Sequence, residues 1–402
     1  MNIKGFYLNT LFSKKVDSSI PKVMKWKILR LALMYAQARY LKTVFFPFCL
    51  ILCFLNQGMA QDIHFSQFYN SPLNINPALT GIYQGDVRFI ANYRSQWVKV
   101  PVSYQTLSAS ADMKFLSKNF KKSFFAGGLL INYDQAGKSK LTAVNIGLTG
   151  SYTRQLSSKW YMTAGTQLSI NQRYFAIDDL LFDRQWNGDV VDPTLPTGEN
   201  FSSTTNLFFD FSAGLNFRWQ ESTNAELVNR LERRSKIDFG IALYHINQPD
   251  QSFYEEEEAD LFVRISPYVF SKWQIAKEFD LIADATVQVQ GTYSQFLGVL
   301  GLRYYSNRSL GKQTAVQLNA GYRRNWDLWD LAFTDSDNFD GSWVFGFELY
   351  RNEIHLGFSY DWNSTNFDIV NSSRNEGGWE ISLRYIITKV KPLPIFKICP
   401  LI

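Results

Sequence analysis

The chain has 402 residues, with 46% hydrophobic, 16% aromatic and 19% charged side chains and a formal charge of +5 from 41 bases and 36 acids. Residues 1–60 hold nine of those bases and one acid, so residues 61–402 hold 32 bases and 35 acids and sit near −3. That balance, with no helix-turn-helix or zinc-finger spacing, excludes a nucleic-acid binder; with Cys49 and Cys53 both early and only Cys399 late, an internally disulfide-stapled fold is excluded too.

The chain opens on a basic stretch that ends in an export signal. Val44 to Leu55 is an apolar run of about a dozen residues. It falls short of the roughly 20 that a spanning helix needs and suits a signal-peptide hydrophobic region. Arg30, Arg39 and Lys42 precede it, and Gly58 and Ala60 supply the small side chains a signal peptidase accepts. Cleavage is expected between Ala60 and Gln61, which makes residues 1–60 a leader; a start at Met24 or Met34 would shorten it. Pro47 and the short run disfavour a retained anchor helix, and neither Cys49 nor Cys53 follows the small residues a lipoprotein signal needs.

Residues 61–85 form an irregular lead-in. Asn70-Ser71-Pro72, Asn76-Pro77 and Thr80-Gly81 are turn signals. Phe65, Phe68, Tyr69, Leu73, Ile75 and Leu79 make the segment too apolar for a free tail. Two placements are open at this point: a plug within a barrel, or a cover over the barrel's periplasmic rim.

From residue 86 to 388 apolar side chains recur at every second position. In one segment Phe209, Phe211, Ala213, Leu215, Phe217 and Trp219 alternate with Asp210, Ser212, Asn216 and Arg218; in another Leu281, Ala283, Ala285, Val287 and Val289 alternate with Asp284, Thr286, Gln288 and Gln290. Strand side chains point to opposite faces in turn, so each segment has one oily and one wet face. Leu215 and Val287 are expected to face lipid, and the charges Asp210 and Asp284 imply that the other face lines water. About 14 such segments occur, at roughly 86–94, 103–114, 124–134, 142–154, 159–171, 206–219, 236–246, 262–271, 279–290, 295–305, 313–323, 342–350, 353–361 and 378–387. Even number and length match an all-β transmembrane antiparallel β-barrel of the outer-membrane kind.

The connections support this. With the N-terminus in the periplasm, the long ones, 172–205, 247–261, 324–341 and 362–377, fall outside, whereas 155–158 and 351–352 are short and inside; 220–235 is a long exception. Long outer loops and short inner turns are the asymmetry of such barrels. Tyr93, Trp97, Trp160, Trp219, Trp273, Tyr304, Tyr322, Trp343 and Trp379 fall near strand ends, where aromatic girdles meet headgroups. The competing fold is a soluble, secreted β-sandwich or propeller, which is also rich in alternating strands. Residues 389–402 are expected to form a periplasmic tail.

Charge is divided between the two ends. The expected outer loops carry Asp178, Asp179, Asp183, Glu255 to Glu258, Asp260, Asp327, Asp330, Asp335, Asp337 and Asp340. The expected periplasmic turns and tail carry Lys118, Lys121, Lys122, Arg230, Arg233, Arg234, Lys272, Lys277, Arg308, Lys312, Lys389, Lys391 and Lys397. Such a division can steer a partner of opposite sign. Catalytic chemistry is thin: there is no GxSxG, HExxH or phosphate loop. His64, His245 and His355 are scattered, and the acids of residues 334–341 depart from a calcium loop by placing Phe339 and Asp340 where an oxygen ligand and glycine belong. The expectation is no enzyme, no cofactor and no metal.

The stretch 61–97, with FSQF at 65–68, Pro72-Leu73, Asn76-Pro77-Ala78, Gly81 and Tyr93-Arg94-Ser95-Gln96-Trp97, resembles the opening of the PorP/SprF family. The last strand and tail, ending Cys399-Pro400-Leu401-Ile402, are similar to the family's, apart from the final residues, which lack its basic residue and Phe. The resemblance implies an outer-membrane protein of Bacteroidetes linked to type IX secretion and gliding motility. It implies partners among secreted surface proteins or adhesins, periplasmic components of the secretion system, and outer-membrane lipid. The other function in view is a pore or transporter for small solutes, which requires an open wet path through the lumen.

Overall fold

Alternation of apolar and polar side chains becomes a ring of antiparallel strands. The computed structural model describes residues 62–96, 104–115, 122–137, 139–177, 180–192, 194–199, 203–221, 234–254, 259–308, 313–327, 340–363 and 377–388. Within them lie β1 Val87–Gln96, β2 Tyr104–Phe115, β3 Ser123–Ala136, β4 Leu141–Gln155, β5 Trp160–Tyr174, β6 Thr205–Gln220 and β7 Lys236–Tyr244. The second half is β8 Arg264–Gln274, β9 Phe279–Gln290, β10 Tyr293–Asn307, β11 Thr314–Asp327, β12 Asp340–Arg351, β13 Ile354–Asn363 and β14 Gly378–Ile387. No described helix is long and apolar enough to cross a membrane.

Each strand pairs with its chain neighbours, and β1 also pairs with β14, from Val87↔Ile387 to Gln96↔Gly378, which closes a fourteen-strand barrel. Closure gives every strand two ladder partners and leaves no edge, the condition for strands in hydrocarbon. One end carries the long connections, including 175–204 and 245–263; the other carries tight ones, including 156–159 and 352–353. By the asymmetry of outer-membrane barrels the long-loop end is the outer one. The strands run further than the alternation suggests. Asp327 ends β11 and Asp340 begins β12, so both belong to strands and the outer loop between them shrinks to 328–339. Lys272, expected in a periplasmic turn, lies within β8.

The two faces separate as the sequence implies. On β6, Phe209 is 69% exposed and Leu215 44%, whereas Asp210 is 4% and Asn216 0% exposed. Val287 lies outside between the buried Thr286 and Gln288. Aromatic pairs mark both margins of the outward band. Tyr93 and Trp379 stand 5.2 Å apart and Tyr322 and Trp343 5.0 Å apart toward the outer end. Trp219 and Trp273 at 6.0 Å and Phe279 and Tyr304 at 5.1 Å do the same near the periplasmic end.

The inward face departs from expectation. Asp210 and Asp284 are buried, so this wall does not line water at their level. The reason is residues 62–86, which pack against it. They include a 3-10 turn Phe68–Asn70, a short helix α1 Pro72–Ile75 and a second 3-10 turn Pro77–Leu79. Phe68, Ile75, Leu79 and Ile82 form a core with Tyr268, Leu297, Val299 and Val344 of the wall. The large side chains that a two-residue period places inward on β8, β10 and β12 thus meet protein.

Candidate functional site

The lead-in descends the lumen from the outer end to the periplasmic end. At its start, Asp62 Oδ2 lies 2.6 Å from His245 Nε2 and 3.2 Å from Arg264 Nη1, where β7 ends and β8 begins. At its finish, Asp86 N donates to Ile387 O at 2.9 Å, beside the first pair of the closing seam.

Below Asp62 sits a buried charge cluster. Ser66 Oγ donates to Asp361 at 2.6 Å, and the same carboxylate takes Arg94 Nη2 and Arg323 Nη1 at 2.8 Å each. Glu380 accepts the backbone N–H groups of Ser66 and Gln67 at 2.7 and 3.1 Å. Four strands, β1, β11, β13 and β14, therefore converge on one residue of the lead-in. Low dielectric makes such charge-assisted bonds strong, and their removal costly.

Further down, polar side chains meet in register. Asn74 Nδ2 donates to Ser108 Oγ at 3.0 Å and Asn132 Oδ1 at 3.2 Å; Tyr244 Oη donates to Leu73 O at 2.8 Å. Asn76 caps the second 3-10 turn through Ala78 N and donates to the carbonyls of Leu215 and Ile241 at 3.0 and 3.2 Å. This turn fits only because the paired wall residues Gly165 and Gly214 lack side chains. A Cβ on Gly165 would stand 2.5 Å from the Ala78 backbone, and one on Gly214 would strike the Asn76 amide. Near the bottom, Gly81 N donates to Asp112, which Arg88 holds at 2.8 Å.

The electrostatics of the outer anchor follow from its contacts. Burial pulls the His245 imidazole down, but the carboxylates of Asp62 and Asp210 outweigh it and push it up to about 9. Burial would raise Asp62, yet His245 and Arg264 hold it well below the usual carboxylate range. Both groups are therefore charged near neutral pH.

Two of the scattered histidines meet carboxylates rather than serine hydroxyls: His245 meets Asp62, and His355 Nε2 lies 2.7 Å from Glu348 with its ring stacked on Tyr350 at 4.1 Å. Among the described residues no His, Cys, Asp and Glu group is arranged to hold a metal ion. The inward arginines each have a local role. Arg218 pairs with Asp238 at 2.6 Å, Arg303 binds Gln317 at 2.6 Å and stacks over Tyr350, and Arg384 stands 6.0 Å from the Tyr350 ring. The cleavage pair Ala60 and Gln61, the acids Asp178, Asp179, Glu255 to Glu258, Asp330, Asp335 and Asp337, the bases Lys118, Lys121, Arg230, Arg233 and Lys312, and the tail 389–402 lie outside the described residues. What periodicity misses is the partner of the wet face: polar alternation looks the same whether water or a chain segment fills the lumen. The density of Asn, Ser and Thr in the lead-in, beside its apolar residues, is the sequence signal that carries this information.

Comparison with known proteins adds a family and an architecture. A family model for the type IX secretion system membrane protein PorP/SprF matches residues 57–385. No curated protein matches the chain. Similar solved structures include the CymD monoaromatic hydrocarbon channel, with TM-score 0.41, 10% identity and coverage of 83% of this chain and 95% of that one. The TodX monoaromatic hydrocarbon channel deltaS2 mutant gives 0.40, 11%, 78% and 93%. BamA from Haemophilus ducreyi lacking POTRA domains 1-3 gives 0.38, 9%, 75% and 70%. These are likenesses of barrel architecture alone.

Proposed function

Because the chain belongs to the PorP/SprF family of type IX secretion system membrane proteins, we propose that this outer-membrane barrel is a non-enzymatic accessory of that system, assisting export of secreted proteins or holding adhesins at the cell surface. The observation that carries the reading is the lumen crossed by residues 62–86 and bonded to the wall along its length. A solute pore needs a continuous wet path, and this segment stands in it. A secretion accessory needs only a rigid frame that presents loops, because loops vary while strands hold register.

In this reading residues 61–85 are a plug, 86–388 the barrel and 389–402 a periplasmic tail. The outer connection 172–205 meets the secreted client, and the periplasmic side meets components of the secretion system. The leader 1–60 is removed between Ala60 and Gln61. The direction of the lead-in supports removal: its start lies at the outer end, where an attached leader would have to thread the lumen. N-terminal sequencing of the outer-membrane form should return Gln61 first, and an intact leader would overturn that cut.

Deletion of most of 172–205 is the decisive experiment. The barrel should assemble, shown by heat-modifiable mobility, while one or a few proteins vanish from the surface proteome. Normal assembly with an unchanged surface proteome and reduced small-solute uptake would replace the export reading by the pore.

A further inference from the structure

We propose that the periplasmic mouth of the lumen is a binding site for an acidic peptide segment of a periplasmic partner protein, held by Lys236, Lys272, Arg303 and Arg384. The inference rests on the export reading only in taking the occupant to be a protein.

The four residues lie on inward positions near the periplasmic ends of their strands. Lys236 opens β7 and pairs in register with Lys272 of β8; Arg303 lies opposite Asp280, and Arg384 opposite His355. All four are half-buried, so each side chain stands against the wall and still reaches solvent.

What sets them apart is missing neutralisation. Higher in the lumen Arg94 and Arg323 meet Asp361 with Glu380 nearby, and Arg264 and His245 meet Asp62, whereas Arg173 bonds the neutral Gln251. At the periplasmic end three of the inward carboxylates are already engaged, and Asp284 accepts from Ser271 N at 2.9 Å. Asp238 serves Arg218 at 2.6 Å, Asp280 serves Arg234 at 2.6 Å, and Glu348 serves His355 at 2.7 Å. Lys272 makes a long ion pair with Asp280 at 3.9 Å, and Arg303 bonds to the neutral Gln317 and Tyr350. Among the described residues, the side chains of Lys236 and Arg384 have no hydrogen bond or ion pair. Two such cations, beside two that are poorly matched, stand on a low-dielectric wall where a carboxylate interacts far more strongly than in water.

Residues 389–402 carry Lys389, Lys391 and Lys397 and no Asp or Glu. Between β6 and β7 the sequence of 222–233 balances Glu226 and Glu232 with Arg230 and Arg233. The cations span β7 to β14, wider than one small anion and within reach of an extended segment at about 3.3 Å per residue. The face is therefore built for several carboxylates on one strand of chain.

The test uses the full barrel purified in detergent, with fluorescent peptides of about ten residues, one rich in Glu and one rich in Lys. Wild type should bind the Glu peptide saturably and lose it with added salt. Lys236→Gln with Arg384→Gln should bind about a hundredfold more weakly, the loss expected when two charge-assisted bonds go. Lys236→Glu with Arg384→Glu should prefer the Lys peptide, a gain that misfolding cannot mimic. Arg351→Gln, at the exposed periplasmic end of β12, should change nothing. Absence of saturable binding, equal binding by the double Gln variant, or displacement by inorganic phosphate as readily as by unlabelled Glu peptide would each overturn the proposal. If the peptide fails while the 172–205 deletion still depletes surface proteins, the export reading stands and this inference falls. If the peptide binds as expected while that deletion leaves the surface proteome unchanged, the site stands and the export reading falls.

Discussion

Replacing Asp361 by Asn should release the outer half of the plug. The Asp361 carboxylate receives Ser66 Oγ at 2.6 Å and two guanidinium groups at 2.8 Å each, and its side chain is 4% exposed. Asn keeps the shape but loses the charge, and its amide turns a donor toward a donor. Arg94 and Arg323 then share Glu380, 3.9 Å from Arg94, as the nearest remaining counter-charge. Breaking a buried pair by removing one partner costs about 3–5 kcal/mol. If that cost falls on the plugged state alone, the plugged-to-unplugged ratio drops about a thousandfold. Planar-bilayer recording is the assay. Wild type should be silent or nearly so, and Asp361→Asn should show open events at an assembled, heat-modifiable barrel. Arg94→Met, Arg323→Met, Asp361→Leu and Glu380→Gln together should restore silence, because a neutral cluster of similar volume leaves no buried charge unmatched. A single Asp361→Asn variant with wild-type conductance and an unchanged urea midpoint would refute the claim that this cluster seats the plug.

Three further outcomes follow from the same geometry. Gly165→Leu should force the 76–78 turn off the wall, since its Cβ alone would lie 2.5 Å from the Ala78 backbone; the expected readout is new conductance at an assembled barrel, and a silent variant counts against the notch. Leu215→Arg, on the lipid face, should cost about 2–4 kcal/mol near the midplane, seen as a lower urea midpoint of the folded band, whereas exposed Asp189→Arg should stay within about 0.5 kcal/mol; equal tolerance would mean the strand phase is wrong. The Asp62–His245 contact should be pH-dependent in a defined direction. His245 is raised to about 9, so its contribution is complete below its ordinary 6.5 and is lost as pH climbs through about 9. Asp62 is lowered, so its share is present above its ordinary 3.8 and fades only as pH falls below it. A urea midpoint that drops from pH 6 to pH 10 in wild type, with the drop reduced in His245→Asn, is expected, and the same slope in both would exclude this pair as its source.

The sequence determined the wall of this protein. A two-residue period over segments such as Phe209 to Trp219 assigns each side chain to lipid or lumen, and it does so because strand geometry alone sets that alternation. Strand count, orientation of long and short connections and the aromatic margins follow from the same local rule, and the family resemblance is carried by a contiguous stretch, 61–97. Boundaries are less legible: Asp327, Asp340 and Lys272 lie on strands because ladder pairing with a neighbour extends a strand beyond its own apolar pattern. Only the tertiary structure decided what the wet face touches. Ser66 meets Asp361 across a separation of 295 residues, and Asn76 meets Leu215 across 139. No local period encodes such a pairing, since Asp210 and Asp284 would alternate identically around water. Which cations find a carboxylate likewise depends on strand pairing: Arg218 and Arg384 read alike along their strands, but β7 sets Asp238 opposite the first, whereas β13 sets His355 opposite the second.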